Sequence, residues 1–459
     1  MKKRTVDDIL KGIEKTGERS NFLQKLYKNI RQFFIQRKKN AEKVRMFEKI
    51  NHIPWIKRLS FIKARKTIEN LYAQHLRDLQ KAVQHRKIHV AFLVNEASKW
   101  HCDTLYNLFK NSNHFEPLIL VTKRITCYDT TEEFNATLLF FKNAGMHVEC
   151  AYDSRDNKFL DLKIFSPDII FYEQPWGVER LQSINRVAIF ALTCYTPYCF
   201  HMFHSEYDYL ELFHRFLWKY FVESSWHLES YKDRFKADNC VSSGSLHLDK
   251  YFSKGIPHVD FWKDASSAKK RIIYAPHFTF TTQHRVATFS QNGKFILNLA
   301  SIYPQTTWVL KPHPSFDQNV VADGIMTQQE LDEYYAAWEK YGMIVRGGNY
   351  FDLFKTSDCL ITDCISFLAD YFPNGKPVFH LRRKEQTADF NDFGKDIINT
   401  YYQIHSNAEL EKLFSQVMID GDDFMAPRRL EQMEKLKLIS DETASKRVFD
   451  HLWKELKIP

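Results

Sequence analysis

Between residues 88 and 381, short continuous apolar runs alternate with longer stretches whose apolar residues recur at helical spacing. The run at 88–94, Ile-His-Val-Ala-Phe-Leu-Val, is the kind of segment that a parallel sheet buries on both faces. Similar runs at 118–122, 168–172, 187–192 and 220–223 predict four further strands. A second series is predicted from about residue 239, with strands at 271–275, 308–311, 343–346, 359–362 and 377–381. Helical patterns at 288–302, 328–341 and 366–372 separate these strands. Strands alternating with helices imply right-handed βαβ units. The expected fold is therefore α/β, with two doubly wound Rossmann-like domains facing a cleft. Residues 1–87 form a helical extension, 88–238 the first domain, 239–425 the second, and 426–459 a C-terminal helix packing back. The loop-rich region 243–268 is the expected junction.

Composition sharpens this picture at the N-terminus. The chain carries a formal net charge of +9, yet residues 1–90 hold 24 Lys+Arg against 8 Asp+Glu, a net of +16, which leaves about −7 for the rest. In 5–85, Leu10, Ile13, Phe22, Leu23, Leu26, Ile30, Phe33 and Phe34 follow helical spacing between basic residues. Such helices lie on an anionic membrane surface or pack on protein. No run reaches the roughly eighteen apolar residues of a membrane span, and no apolar leader core follows Met1. The eight cysteines form no CxxC pair, and several sit in apolar segments, which suggests reduced, buried thiols. The expected location is cytoplasmic, either free or peripheral on the inner face of the cell membrane. No cofactor or metal is expected.

Ligands of doubly wound sheets sit at the carboxyl ends of the strands, and three motifs fall there. The first is Tyr274-Ala275-Pro276-His277 and the second Lys311-Pro312-His313-Pro314. In the third, an apolar strand ends in Thr362-Asp363, and Ser366 opens a helix two residues after Cys364. Free N–H groups at a helix start favour phosphate, although Ser366 equally fits a plain N-cap and Asp363 a turn. His313, held between prolines, suits a group aimed at a diphosphate, and Lys311 suits supporting charge. Structural roles for His313 and His277 are the competing assignment.

In the first domain, Glu173 follows a predicted strand beside Trp176, where burial would raise its pKa and fit it for proton transfer. The alternative is a surface carboxylate. Tyr195, Tyr198 and His201 are the candidate acceptor-side residues, with packing as the competing role for the two tyrosines; His201 and His204 have i,i+3 spacing but lack a third metal ligand.

Together these residues, with Asn349-Tyr350-Phe351-Asp352-Leu353-Phe354, Ser357-Asp358, Leu360-Ile361-Thr362-Asp363, Ser366 and Asp370-Tyr371, resemble the CDP-glycerol glycerophosphotransferase family of teichoic-acid and capsule polymer biosynthesis. The likeness spans roughly 240–385. It implies a GT-B architecture, a bacterial source and a donor site in the second domain. There His313, Ser366, Thr362 and Asp363 would line the phosphates, and Asn349 to Asp352 would lie near the nucleotide. The family's His-Gly-Thr-Pro segment corresponds here to Thr193-Cys194-Tyr195-Thr196-Pro197-Tyr198, with no histidine before Thr-Pro. Either another group takes the proton, or donor and acceptor differ from the typical ones.

The resemblance implies transfer of a polyol phosphate, such as glycerol phosphate, from a CDP-activated donor to a hydroxyl of a polysaccharide or lipid-linked glycan, releasing CMP. The alternative is a GT-B glycosyltransferase that uses a nucleotide sugar in capsule or lipopolysaccharide synthesis. A further alternative is a non-catalytic protein binding membrane or nucleic acid through its basic extension. The absence of a nucleic-acid module argues against nucleic acid as a partner.

Overall fold

The computed structural model describes residues 55–459 apart from 126–129, 204–212, 236–237, 252–260, 264–268, 282–285, 347–349, 384–389 and 439–441. The basic helical pattern at 5–54, His204 and Asn349 therefore lie outside the described residues.

The first sheet contains strands β1 (Ile88–Val94), β2 (Phe115–Val121), β3 (Val148–Cys150), β6 (Ile169–Tyr172), β7 (Leu192–Tyr195), β8 (Lys219–Val222) and β9 (Cys240–Ser242). Their order is β3-β2-β1-β6-β7-β8-β9, and every pairing is parallel. A small antiparallel pair, β4 (Tyr152–Asp153) and β5 (Lys158–Phe159), sits after β3. The second sheet contains β10 (Lys270–Ala275), β11 (Thr306–Leu310), β12 (Gly342–Ile344), β13 (Cys359–Thr362), β14 (Val378–Leu381) and β15 (Tyr402–Ile404), in the order β12-β11-β10-β13-β14-β15. It too is parallel throughout.

Period-two alternation divides the second domain's interior. On β10, Ile272 and Tyr274 enter a core shared with Trp308, Trp338 and Phe414. Ile273 and Ala275 enter the opposite core with Val309, Leu360, Leu368 and Phe393. Helices Phe289–Ile302, Gln328–Trp338 and Asn407–Phe414 cover the first face; Phe351–Thr356, Ile365–Tyr371 and Asp392–Ile398 cover the second. Gly342 is fixed by packing, because a Cβ there would fall 1.9 Å from the Trp308 carbonyl oxygen.

Several elements differ from the sequence expectation. The run at 187–192 is not a strand: Ile184–Val187 is a helical turn, Ile189 is exposed, and the strand is Leu192–Tyr195. An apolar run gives no periodicity to choose between these states. β9, at the start of the stretch assigned to the second series, ladders onto β8 of the first sheet. β3 and β15 are additional edge strands of three residues each, outside the expected set. The C-terminal pattern forms two helices, Ala426–Leu436 and Ala444–Glu455, the former ending at Lys437 with a φ of 44°. The last helix returns to the first sheet, where Val448, Leu452 and Leu456 are buried and Phe449 meets Phe109 and Phe115. Asp249 anchors its start by accepting the N–H groups of Ala444 (2.6 Å) and Ser445 (2.9 Å). No helix among the described residues is long and apolar enough to cross a membrane.

Candidate active site

Both sheets reverse their winding direction beside the strand that starts them. β1 lies between β2 and β6, and β10 lies between β11 and β13. Connections leave such a point toward opposite faces and open a crevice at the carboxyl ends of the strands. A carboxylate closes each crevice. After β6, Glu173 Oε2 accepts the N–H groups of Asn95 (2.8 Å) and Glu96 (3.1 Å), which follow β1. After β13, Asp363 Oδ1 accepts the His277 N–H (2.6 Å), and its Oδ2 accepts the Thr288 N–H (2.6 Å) and hydroxyl (2.8 Å).

The two carboxylates differ in what remains. Both oxygens of Asp363 are satisfied and the residue is buried, so it braces the His277 loop and does not contact a phosphate through its side chain. Thr362 is also internal, its hydroxyl donating to the Ala275 carbonyl and accepting the Cys364 N–H. These two expected phosphate ligands are thus supports; a strand-end motif in sequence does not reveal which way its side chains turn. Glu173, by contrast, keeps Oε1 buried and without a hydrogen-bond partner. Burial is the largest influence on it and raises its pKa to about 8 against the backbone N–H groups that pull it down.

The basic groups of the second domain lie at the ends of β10 and β11. The Ser315 N–H donates to His313 Nδ1 (3.1 Å), so the neutral ring carries its proton on Nε2. His277 Nδ1 lies 2.9 Å from the Thr279 hydroxyl. The two rings are 5.1 Å apart, and Phe278 lies 4.3 Å from His313. Burial lowers His277 to about 3 and His313 to about 4, so both are neutral donors near pH 7. Lys311 is buried, its ammonium 5.6 Å from the Tyr350 ring, and desolvation lowers its pKa to about 8. Ser366 is the second residue of the helix Ile365–Tyr371, its hydroxyl 3.4 Å from Cys364 Sγ. Asp352 lies in the first turn of its own helix, 3.8 Å from Lys355, where it complements the helix dipole.

The first domain contributes a second set of groups. Lys99 donates to Glu96 (2.5 Å) and Gln174 (2.6 Å), and its ammonium lies 5.7 Å from the Trp176 ring and 5.4 Å from the Tyr198 ring. Lys250, from the second domain's approach, also lies 3.7 Å from Asp103.

Two expected acceptor-side residues are elsewhere. Tyr195 is fully buried in a stack with Tyr220 at 5.4 Å, because its strand is covered on both faces. His201 is buried with Nδ1 2.6 Å from Glu223 Oε1, and its carbonyl accepts the Asn391 side-chain amide at 2.8 Å. It joins the domains and does not reach the cleft. Tyr198 is half-buried, its ring edge-on to Trp176 at 6.0 Å. Sequence reasoning missed Lys99, Glu96 and His101. His101 Nε2 lies 2.9 Å from the Thr196 hydroxyl, so a histidine does adjoin the Thr-Pro pair, delivered from the β1 loop. Its location, separated by 95 positions in the chain, left no sequence signal. No group of three or more His, Cys, Asp or Glu able to hold a metal occurs among the described residues.

No family model matches this chain, and none of the curated proteins does. Solved structures do match in fold. A putative UDP-N-acetylglucosamine 2-epimerase from Listeria monocytogenes superimposes with a TM-score of 0.53 at 12% identity, covering 81% of this chain and 97% of its own. The UDP-GlcNAc 2-epimerase from Neisseria meningitidis, bound to UDP-GlcNAc, gives 0.51 at 13%, covering 80% and 100%. A variant of the wall teichoic acid polymerase TagF gives 0.52 at 13%, covering 87% and 98%. At these identities the likeness shows the fold, and that fold is GT-B-like: two parallel α/β sheets with their helices, as the alternating pattern predicted.

Proposed function

We propose that the chain is a transferase that moves a polyol phosphate, such as glycerol phosphate, from a CDP-activated donor to a hydroxyl of a surface glycan. One observation carries this reading: neutral His277 and His313, with Lys311, stand together at the second sheet's strand ends, and at the equivalent strand end of the first sheet a carboxyl keeps one unengaged oxygen. The motif resemblance and the fold shared with TagF support the donor class.

In this mechanism the Nε2–H groups of His313 and His277 donate to non-bridging oxygens of the donor diphosphate, and Lys311 adds positive charge. The acceptor hydroxyl attacks the β-phosphorus in line, a new P–O bond forms, and the bond to CMP breaks. Glu173 takes the hydroxyl proton, through water or a side-chain movement that uncovers its buried Oε1, and later releases it to solvent. Burial raises its pKa to about 8, which brings the carboxyl into the range where it both takes and releases a proton near neutral pH. This assigns Glu173 the task left open by the missing histidine. Ser366, Asn349 and Asp352 remain proposed neighbours of the nucleotide by resemblance.

A nucleotide-sugar donor is the second reading, favoured by neighbours described as bound to UDP-GlcNAc or UDP. Thermal denaturation with CDP-glycerol, CMP, CDP, UDP and UDP-sugars separates the two. Stabilisation by cytidine nucleotides that is lost in His313→Ala is the expected result. A preference for uridine nucleotides transfers the proposal to glycosyl transfer, and silence toward every nucleotide removes the donor site. Attachment to an anionic membrane through residues 1–85 rests on their basic charge and helically spaced apolar residues, and pelleting with anionic liposomes that survives their deletion would refute it.

A further inference from the structure

The loop after β6 holds an exposed tryptophan in a fixed position. Trp176 is 41% exposed, whereas Glu173 and Gln174 just before it are buried. Gln174 donates to the Trp176 carbonyl at 2.9 Å, closing the turn. Gly177 takes a φ of 69°, and a Cβ there would fall 2.6 Å from Arg124 Cγ. The indole meets the Tyr198 ring edge-on at 6.0 Å, and the Lys99 ammonium lies near both rings. Lys99 is in turn pinned by Glu96 and Gln174. This is an aromatic surface stiffened from beneath, not a side chain left out of a core.

Its place decides what it meets. The carboxyl whose oxygen is unengaged, Glu173, is three residues before the indole, and Gln174 between them holds the Lys99 ammonium that borders both rings. A molecule lying on the rings therefore presents groups to the reacting centre. Flat aromatic faces beside amide, carboxylate and ammonium groups match a molecule with an apolar face and a rim of hydroxyls. A pyranose ring has that form.

We infer that Trp176 and Tyr198, with Lys99, Glu96 and Gln174 at their border, form a binding subsite for a sugar ring of the acceptor. The inference rests on the proposed transferase reading for its role, but its test needs no donor. The full-length protein, labelled with 15N, is titrated with methyl glycosides of glucose, galactose and N-acetylglucosamine. The indole resonance of Trp176 is identified by its loss in Trp176→Phe. At least one glycoside is expected to shift that resonance saturably, with binding weakened about tenfold or more in Trp176→Ala. Cytidine nucleotides should still raise the melting temperature of that variant, which shows it folded. Absence of a shift with every glycoside overturns the subsite, as does a shift produced only by nucleotides, which would mark a base-stacking surface. If glycosides bind while no nucleotide does, the subsite stands and the donor reading fails.

Discussion

Glu173 and Asp363 occupy corresponding places in the two sheets: each follows the strand beside the sheet's first strand in chain order and accepts backbone N–H groups from the loop after that first strand. Burial raises both, Glu173 to about 8 and Asp363 to about 6. The same device has diverged in use. Asp363 spends both oxygens on the fold, and Glu173 retains one.

If Glu173 is the base, its ionised form is the active one. The rate of transfer should rise with pH toward a plateau above about 8. Glu173→Gln should flatten this limb and lower kcat about 100- to 10,000-fold. The stability effect has the opposite sense. The unfolded carboxyl ionises near 4.5 while the folded one keeps its proton to about 8, so stability falls as pH rises between these values. The Gln variant should lack that fall and melt higher than the wild type at pH 8. A variant with the wild-type rate profile removes Glu173 from the mechanism.

Asp363→Ala should act first on the fold. It strands the buried N–H groups of His277 and Thr288, at about 1–3 kcal/mol each. Nucleotide stabilisation should weaken along with the melting temperature, because the His277 loop loses its brace. Asp363→Asn, which retains an acceptor, should recover part of both. An alanine variant that melts with the wild type would show that the brace contributes nothing.

The buried pair of His201 and Glu223 should govern acid stability. Burial works against the charged Glu223, but the neighbouring His227 and His201 outweigh it and hold the carboxyl down at about 2. A carboxyl lowered in the folded state contributes stability above its unfolded value of 4.5 and loses it as pH falls toward 2. Glu223→Ala should cost about 3–5 kcal/mol near neutrality. Acid titration followed by circular dichroism should show a shallower dependence in that variant; equal acid midpoints would refute the assignment.

The sequence alone determined the two-sheet architecture and which polar residues follow its strands. Continuous apolar runs such as Ile88–Val94 and Cys359–Thr362 are local signals, because a strand covered on both faces must be apolar at every position. His277, Lys311, His313 and Glu173 were legible for the same reason, as polar residues directly after such runs. Tertiary structure decided the direction of each side chain and its partners. Tyr195 turned into a stack, His201 into a junction with Glu223 and Asn391, and Thr362 and Asp363 into internal braces. His101 came to Thr196, and Lys99 came under Trp176 and Tyr198, only because parallel strands bring distant loops to one sheet edge. Hydrophobic periodicity is written between neighbours in the chain, whereas a polar contact depends on the register and crossover of strands far apart in it.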